Sequence, residues 1–178
     1  MKKFLFAALA FASLAFVGCS DDKGVENKES YSFVSSHLSF NFNIKGDLAE
    51  LVDVVSTTTL PATDGTPSSS SEGTKHTLFI SNIKCPAEFD VTFTLKPKNT
   101  AVIDESKKYS YEASYDFTLT RNFSDNTHIV GSTGSSDPMS GTVSGKDALK
   151  FFELYGTNTF SFKLTHDGYV DDTAEDVE

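Results

Sequence analysis

Apolar and polar residues alternate along most of this chain. Leu38, Phe40, Phe42 and Ile44 share one parity; Ser39, Asn41, Asn43 and Lys45 share the other. Leu78 and Ile80 alternate with Thr77, Phe79 and Ser81, and Phe89, Val91, Phe93 and Leu95 alternate with Asp90, Thr92, Thr94 and Lys96. The longest run carries Tyr109, Tyr111, Ala113, Tyr115, Phe117 and Leu119 against Ser110, Glu112, Ser114, Asp116, Thr118 and Thr120. Phe160, Phe162 and Leu164 set the inward parity of a last run over 157–165. Side chains of a strand point alternately to its two faces, so a period of two describes a strand with one dry and one wet side. Such strands belong to antiparallel sheets.

Two segments break the period. Ala148, Leu149, Phe152 and Tyr155 fall at helical spacing. Ser144 and Asp147 form an N-cap pattern before them, and Gly156 stands where a C-cap belongs. Residues 47–55 are mixed: Asp47 and Glu50 suggest a cap, but Val52, Val54 and Val55 are β-branched and favour strand. One helical turn followed by a strand is the expectation there. Turn formers separate the runs. Residues 56–75, rich in Ser, Thr, Gly and Pro, are predicted to be a mobile loop. Residues 131–141 are predicted to be a second loop, with 128–130 and 142–143 pairing across it as a hairpin. The fold class predicted is all-β: a single antiparallel β-sandwich, Ig-like or jelly-roll-like, with one short α-helix near 145–155. The domain spans residues 31–169, about 140 residues and enough for a core. An acidic tail over 170–178 follows and is expected to fray.

The N-terminus carries a different pattern. Lys2 and Lys3 precede an uncharged apolar run from Phe4 to Val17. That run is shorter than the roughly 20 residues a membrane-spanning helix needs, and it reads as a secretory signal over residues 1–18. It ends in Phe16-Val17-Gly18-Cys19, which resembles the bacterial lipobox except that Phe16 stands where Leu is usual. The resemblance implies cleavage after Gly18 and lipid on Cys19, so that the bilayer is a partner through the acylated cysteine. A plain signal cut after Ala10-Phe11-Ala12 is the alternative. Ser20, Asp21, Asp22 and Lys23 follow at once. They resemble the acidic export signal of Bacteroidota lipoproteins, which implies an outer-membrane protein exposed at the surface; a periplasm-facing protein is the alternative. Residues 19–30 then form a lipidated start and flexible tether. Asp172-Thr173-Ala174 resembles the acceptor motif of Bacteroidota protein O-glycosylation, which implies a sugar on Thr173. Taken along most of its mature length, the chain resembles small Bacteroidota surface lipoproteins. That likeness implies no activity.

Charge narrows the partners. Removing residues 1–18 removes Lys2 and Lys3 and no acid, leaving 13 basic against 25 acidic residues, a formal charge of −12. Nucleic acid and anionic lipid both require dense Lys and Arg, so neither is expected as a ligand. A neutral or cationic ligand suits the charge better. The chain has two cysteines. With Cys19 lipidated, Cys85 has no partner within the chain and reads as a small apolar group at a strand end rather than a nucleophile with a histidine base.

Motif chemistry is sparse. His37, His76, His128 and His166 lack the spacing of a zinc site on one element and read as surface or edge residues. No metal or cofactor is expected, and no catalytic residue is assigned. A hydrolase built on scattered carboxylates is the enzymatic alternative, and a fimbrial or envelope structural subunit is a third reading. With no Trp present, Tyr109, Tyr111 and Tyr115 are the candidate sugar platform, because rings stack on the apolar faces of pyranoses. Phe117 and Leu119 share their parity, so the competing reading is that the tyrosines line the core. The function expected is non-enzymatic binding of an extracellular glycan or protein, with the two long polar loops as candidate sites.

Overall fold

Each alternating run forms a strand. A computed structural model describes residues 31–171. Within them β1 (Phe33–Lys45), β4 (Lys75–Ile83), β5 (Ala87–Pro97), β6 (Lys108–Phe123) and β9 (Thr157–Leu164) cover the runs read from sequence. The mixed segment resolves as expected into one helical turn, α1 (Asp47–Glu50), and then β2 (Val52–Thr58). The helical stripe becomes a 3₁₀ turn (Gly145–Asp147) that continues into α2 (Ala148–Tyr155). Ser144 and Asp147 meet side chain to side chain at 2.6 Å, so this pair ties the entry to the helix without capping a backbone N–H.

Both predicted loops are corrected. Residues 56–75 contain β3 (Thr66–Glu72), which pairs antiparallel with β4. Every residue of β3 is exposed, so no apolar parity betrays it. Pro67 offers no N–H, which an edge strand tolerates. Residues 131–141 hold most of β7 (His128–Ser135) and the start of β8 (Met139–Ser144). The predicted hairpin between 128–130 and 142–143 does not form. Instead β7 pairs with the C-terminal half of β6 and β8 with its N-terminal half. The glycines mark close approach rather than turns: a Cβ at Gly134 would collide with the Phe117 ring, and one at Gly141 with Tyr111.

The fold is an all-β sandwich. One sheet runs β3-β4-β1-β6-β7, with β8 also on β6; the other runs β2-β5-β9. Every pairing is antiparallel. Phe40 from the larger sheet and Phe93 from the smaller are fully buried, with ring centroids 5.0 Å apart. Phe117 meets Phe162 edge-on at 5.2 Å, and Phe42 stacks on Phe93 at 5.5 Å. Ala148 and Phe152 of α2 are buried, and Phe151 lies 5.2 Å from Tyr111.

The packed chain runs past the expected boundary at 169. Val170 bridges to Leu164, the Asp171 N–H donates to the Lys163 carbonyl at 2.7 Å, and Lys163 pairs with the Asp171 carboxylate at 3.1 Å. The frayed tail expected from 170 therefore does not begin there. Arg121 holds the turn before these residues. Its Nε donates to the Asp167 carbonyl at 2.6 Å and its Nη1 to the Tyr169 hydroxyl at 2.5 Å. Its guanidinium lies 3.9 Å from the Tyr169 ring centroid and 4.9 Å from that of Phe123.

Candidate functional site

The outer side of the larger sheet carries rows of polar side chains. Register places Ser68, Phe79, Ser39, Thr118 and Thr133 in one row across five strands. The next row holds Ser70, Thr77, Asn41, Asp116 and Ser135. Within it Thr77 Oγ1 donates to Asn41 Oδ1 at 2.8 Å, and Asn41 Nδ2 donates to Asp116 Oδ1 at 2.6 Å. The Asp116 charge is thus partly answered on the face itself. Neighbouring strands lie about 4.8 Å apart, so these rows offer hydroxyl groups at a regular spacing, while the buried Asn41 amide is engaged within the face.

A cluster of rings interrupts the polar rows near one end. Phe79 is 38% exposed although its strand neighbours Leu78 and Ile80 are buried. His37 lies 5.7 Å from Phe79 and 5.8 Å from His128, centroid to centroid. Val130, opposite Thr120, adds an exposed apolar side chain. Burial lowers the His37 pKa from its ordinary 6.5, and the charge of His128 lowers it further. An exposed ring beside hydrogen-bonding groups can take the apolar side of a ligand while the rows take its polar groups.

A second cluster lies inside the sandwich and corrects the expectation that each histidine is a surface or edge residue. His76 is buried. Ser56 Oγ from the smaller sheet lies 2.9 Å from its Nε2, and Ser71 Oγ from β3 lies 2.7 Å from its Nδ1. This contact ties β2 of one sheet to β4 and β3 of the other. A cleft of about 130 Å³ opens beside it, lined by Val54, Lys75 and Lys98 among others. Burial lowers the His76 pKa from 6.5. A cleft of about 320 Å³ lies between α1 and residues 102–109, lined by Glu50, Leu51, Val102 and Lys107.

The two perturbed histidines set a pH dependence. In the folded chain both prefer the neutral form, so the unfolded chain binds protons first as pH falls. Their contribution to stability is complete above about pH 6.5 and is lost as pH falls towards their lowered folded values. Asp47, Asp104 and Asp125 are also lowered, mainly by hydrogen bonds from Ser110, Ser106 and Thr127. Their contribution is lost only in stronger acid, below the ordinary carboxylate value of 3.8. The urea midpoint is therefore expected to fall between pH 7.5 and 5.5, well above the carboxylate range, and His76→Gln should flatten that slope. A midpoint constant over this window would refute the assignment.

The tyrosines chosen from sequence face inward. Tyr109 is buried, and its hydroxyl accepts the Asp104 N–H at 2.7 Å. Tyr111 packs on Phe151, and Tyr115 on Phe160 at 4.6 Å, where burial raises its phenol pKa. They form no exposed platform. Cys85 is half-buried just after β4, its Sγ 3.8 Å from both Ser36 Oγ and the Ile83 carbonyl; burial raises its thiol pKa. Cys19, Ser20, Asp21, Asp22, Lys23 and Thr173 lie outside the described residues. Among the described residues no group of three or more His, Cys, Asp or Glu is placed to hold a metal, and no helix is long and apolar enough to cross a membrane. The ring cluster was missed because each member is unremarkable in its own strand. Parity alone put His37 and Phe79 on the wet side, but only strand order brings His37, Phe79 and His128 together. No protein-family model, curated protein or solved structure matches the chain.

Proposed function

We propose that this chain is a lipid-anchored, non-enzymatic protein of a bacterial outer membrane, displayed at the cell surface, that binds an extracellular glycan or protein. It resembles small Bacteroidota lipoproteins in its Gly18-Cys19 junction and in the Ser20-Asp21-Asp22-Lys23 segment that follows. The observation that carries the binding reading is the solvated face of the larger sheet. Its hydroxyl-bearing rows run beside the exposed Phe79 ring. The loops first chosen as binding sites are largely strand, so the reading moves from loops to face. A net charge of −10 for the whole chain favours a neutral or cationic ligand there.

Anchor and binding are tested separately. Cys19→Ala should shift the protein from the membrane to the soluble fraction; continued membrane association would overturn the anchor. Replacing Ser20, Asp21, Asp22 and Lys23 with neutral residues should protect the protein from protease added to intact cells. Unchanged cleavage would remove that segment's role in export. The soluble Cys19→Ala chain is then applied to glycan and protein arrays, alone and with Thr118→Arg, which places a cation in the centre of the face. Loss of at least about tenfold in affinity, roughly 1.4 kcal/mol, is expected for the substituted chain. Binding unaffected by Thr118→Arg would sink the face as the site, and turnover of any ligand would overturn the non-enzymatic reading.

A further inference from the structure

Asn122 is buried in β6, and its carboxamide joins two imidazoles. Its Nδ2 lies 3.0 Å from His37 Nδ1 and 3.0 Å from Ser35 Oγ; its Oδ1 lies 2.7 Å from His128 Nδ1. An amide nitrogen only donates and an amide oxygen only accepts. His37 therefore accepts at Nδ1 and carries its hydrogen on Nε2. His128 donates from Nδ1 and keeps its lone pair on Nε2. A proton can join His128 at Nε2 with the bridge intact. His37 has no second lone pair, because the amide uses the one it has. Turning the amide over exchanges the two roles and still serves only one charged ring.

We propose that Asn122 makes His37 and His128 a one-proton pair, and that charging both imidazoles opens the turn between β6 and β7. The groups around the pair do not relieve the second charge. From β4 it meets Phe79, from β6 Thr120, and from β7 Val130, all uncharged. Asp125 in the turn interacts with His128 and is itself bound by the Thr127 N–H and hydroxyl at 3.0 and 2.6 Å. Its charge answers the first proton. Arg121 engages Asp167 and Tyr169 and adds no acid. The second proton must break the bridge to His37 and also meets a charged neighbour. Asn122 and His128 are the last register pair before the turn, which the Phe123 and Asn126 N–H groups close through bonds of 3.1 and 3.0 Å. Charging His37 as well sets two cationic rings 5.8 Å apart, and their repulsion acts on this last pair at the base of the turn.

The test is side-chain ¹⁵N NMR on the full chain carrying Cys19→Ala. At pH 8 His37 should be the Nε2–H tautomer and His128 the Nδ1–H tautomer. On acidification His37 should gain its proton at least about one pH unit below His128, a tenfold difference in proton affinity. Amide exchange over residues 123–129, corrected for intrinsic rates, should speed up at least about tenfold between pH 7 and pH 5. Asn122→Asp offers two acceptor oxygens, so both rings should become Nδ1–H and the separation should collapse. Should that variant fail to fold, the tautomers of the unsubstituted chain decide. Identical tautomers or coincident titration would overturn the one-proton pair, and unchanged exchange would overturn the opening of the turn.

Discussion

Phe40→Ala should destabilise the domain by about 3–5 kcal/mol, the usual range for deleting a buried aromatic ring. Phe40 is fully buried and touches both sheets. Its ring lies 5.0 Å from Phe93, 4.7 Å from Phe160 and 5.9 Å from both Phe117 and Phe162. Removing it leaves a void walled by rings in paired strands, which cannot close without breaking register. The cost therefore combines lost burial with an unfilled cavity. Since domains are stable by only about 5–15 kcal/mol, the urea midpoint should fall sharply with little change in slope. Ser39→Ala is the control. It changes the preceding residue of the same strand, a small, half-buried side chain on the opposite face, and should stay within about 0.5 kcal/mol. Equal effects from the two would mean that the inward parity of β1 is wrong.

Arg121→Ala should cost about 3 kcal/mol and should also detach the C-terminal segment. Charge-assisted hydrogen bonds contribute about 1.5–3 kcal/mol, and a desolvated cation over a ring contributes about 2 kcal/mol; the two are not additive here because one group makes both. Arg121 is buried, and its bonds reach Asp167 within the last turn and Tyr169 just after it. Arg121→Lys should recover little. An ammonium cannot lie flat on Tyr169 and still send separate donors to a carbonyl and a hydroxyl. Tyr169→Phe keeps the ring and loses the acceptor, so its effect should be smaller than that of Arg121→Ala. Hydrogen exchange over residues 165–171 distinguishes this latch from general destabilisation: those amides should lose protection before the core strands do. Loss of protection spread evenly over all strands would refute the latch.

The solvated face shows where legibility stopped. Its members sit on the polar parity of β1, β4 and β6, as the alternation requires. Which of them are neighbours depends on the order β4-β1-β6-β7, and that order joins residues far apart in the chain. The inward turn of Tyr109, Tyr111 and Tyr115 was legible as one of two readings, because Phe117 and Leu119 share their parity. The decision came from α2 and β9, which place Phe151 and Phe160 against those rings.

Alternation by itself determined most of the strands, their dry and wet faces and the all-β class, because a period of two is a local property of extended backbone. Helical spacing and turn residues likewise placed α1 and α2, whose contacts begin within a few residues. Tertiary structure alone decided β3, and it set the extent and the partners of β7 and β8, of which the sequence showed only 128–130 and 142–143. β3 is mostly Ser, and residues 131–135 of β7 and 140–142 of β8 are all Gly, Ser or Thr; these stretches become strands only because β4 and β6 present unpaired backbone donors and acceptors to them. It also decided the His76 clasp, the Arg121 latch and the Asn122 bridge. Each is a polar group satisfied by partners from other strands, and hydrogen bonds across a sheet or between sheets leave no period in a sequence.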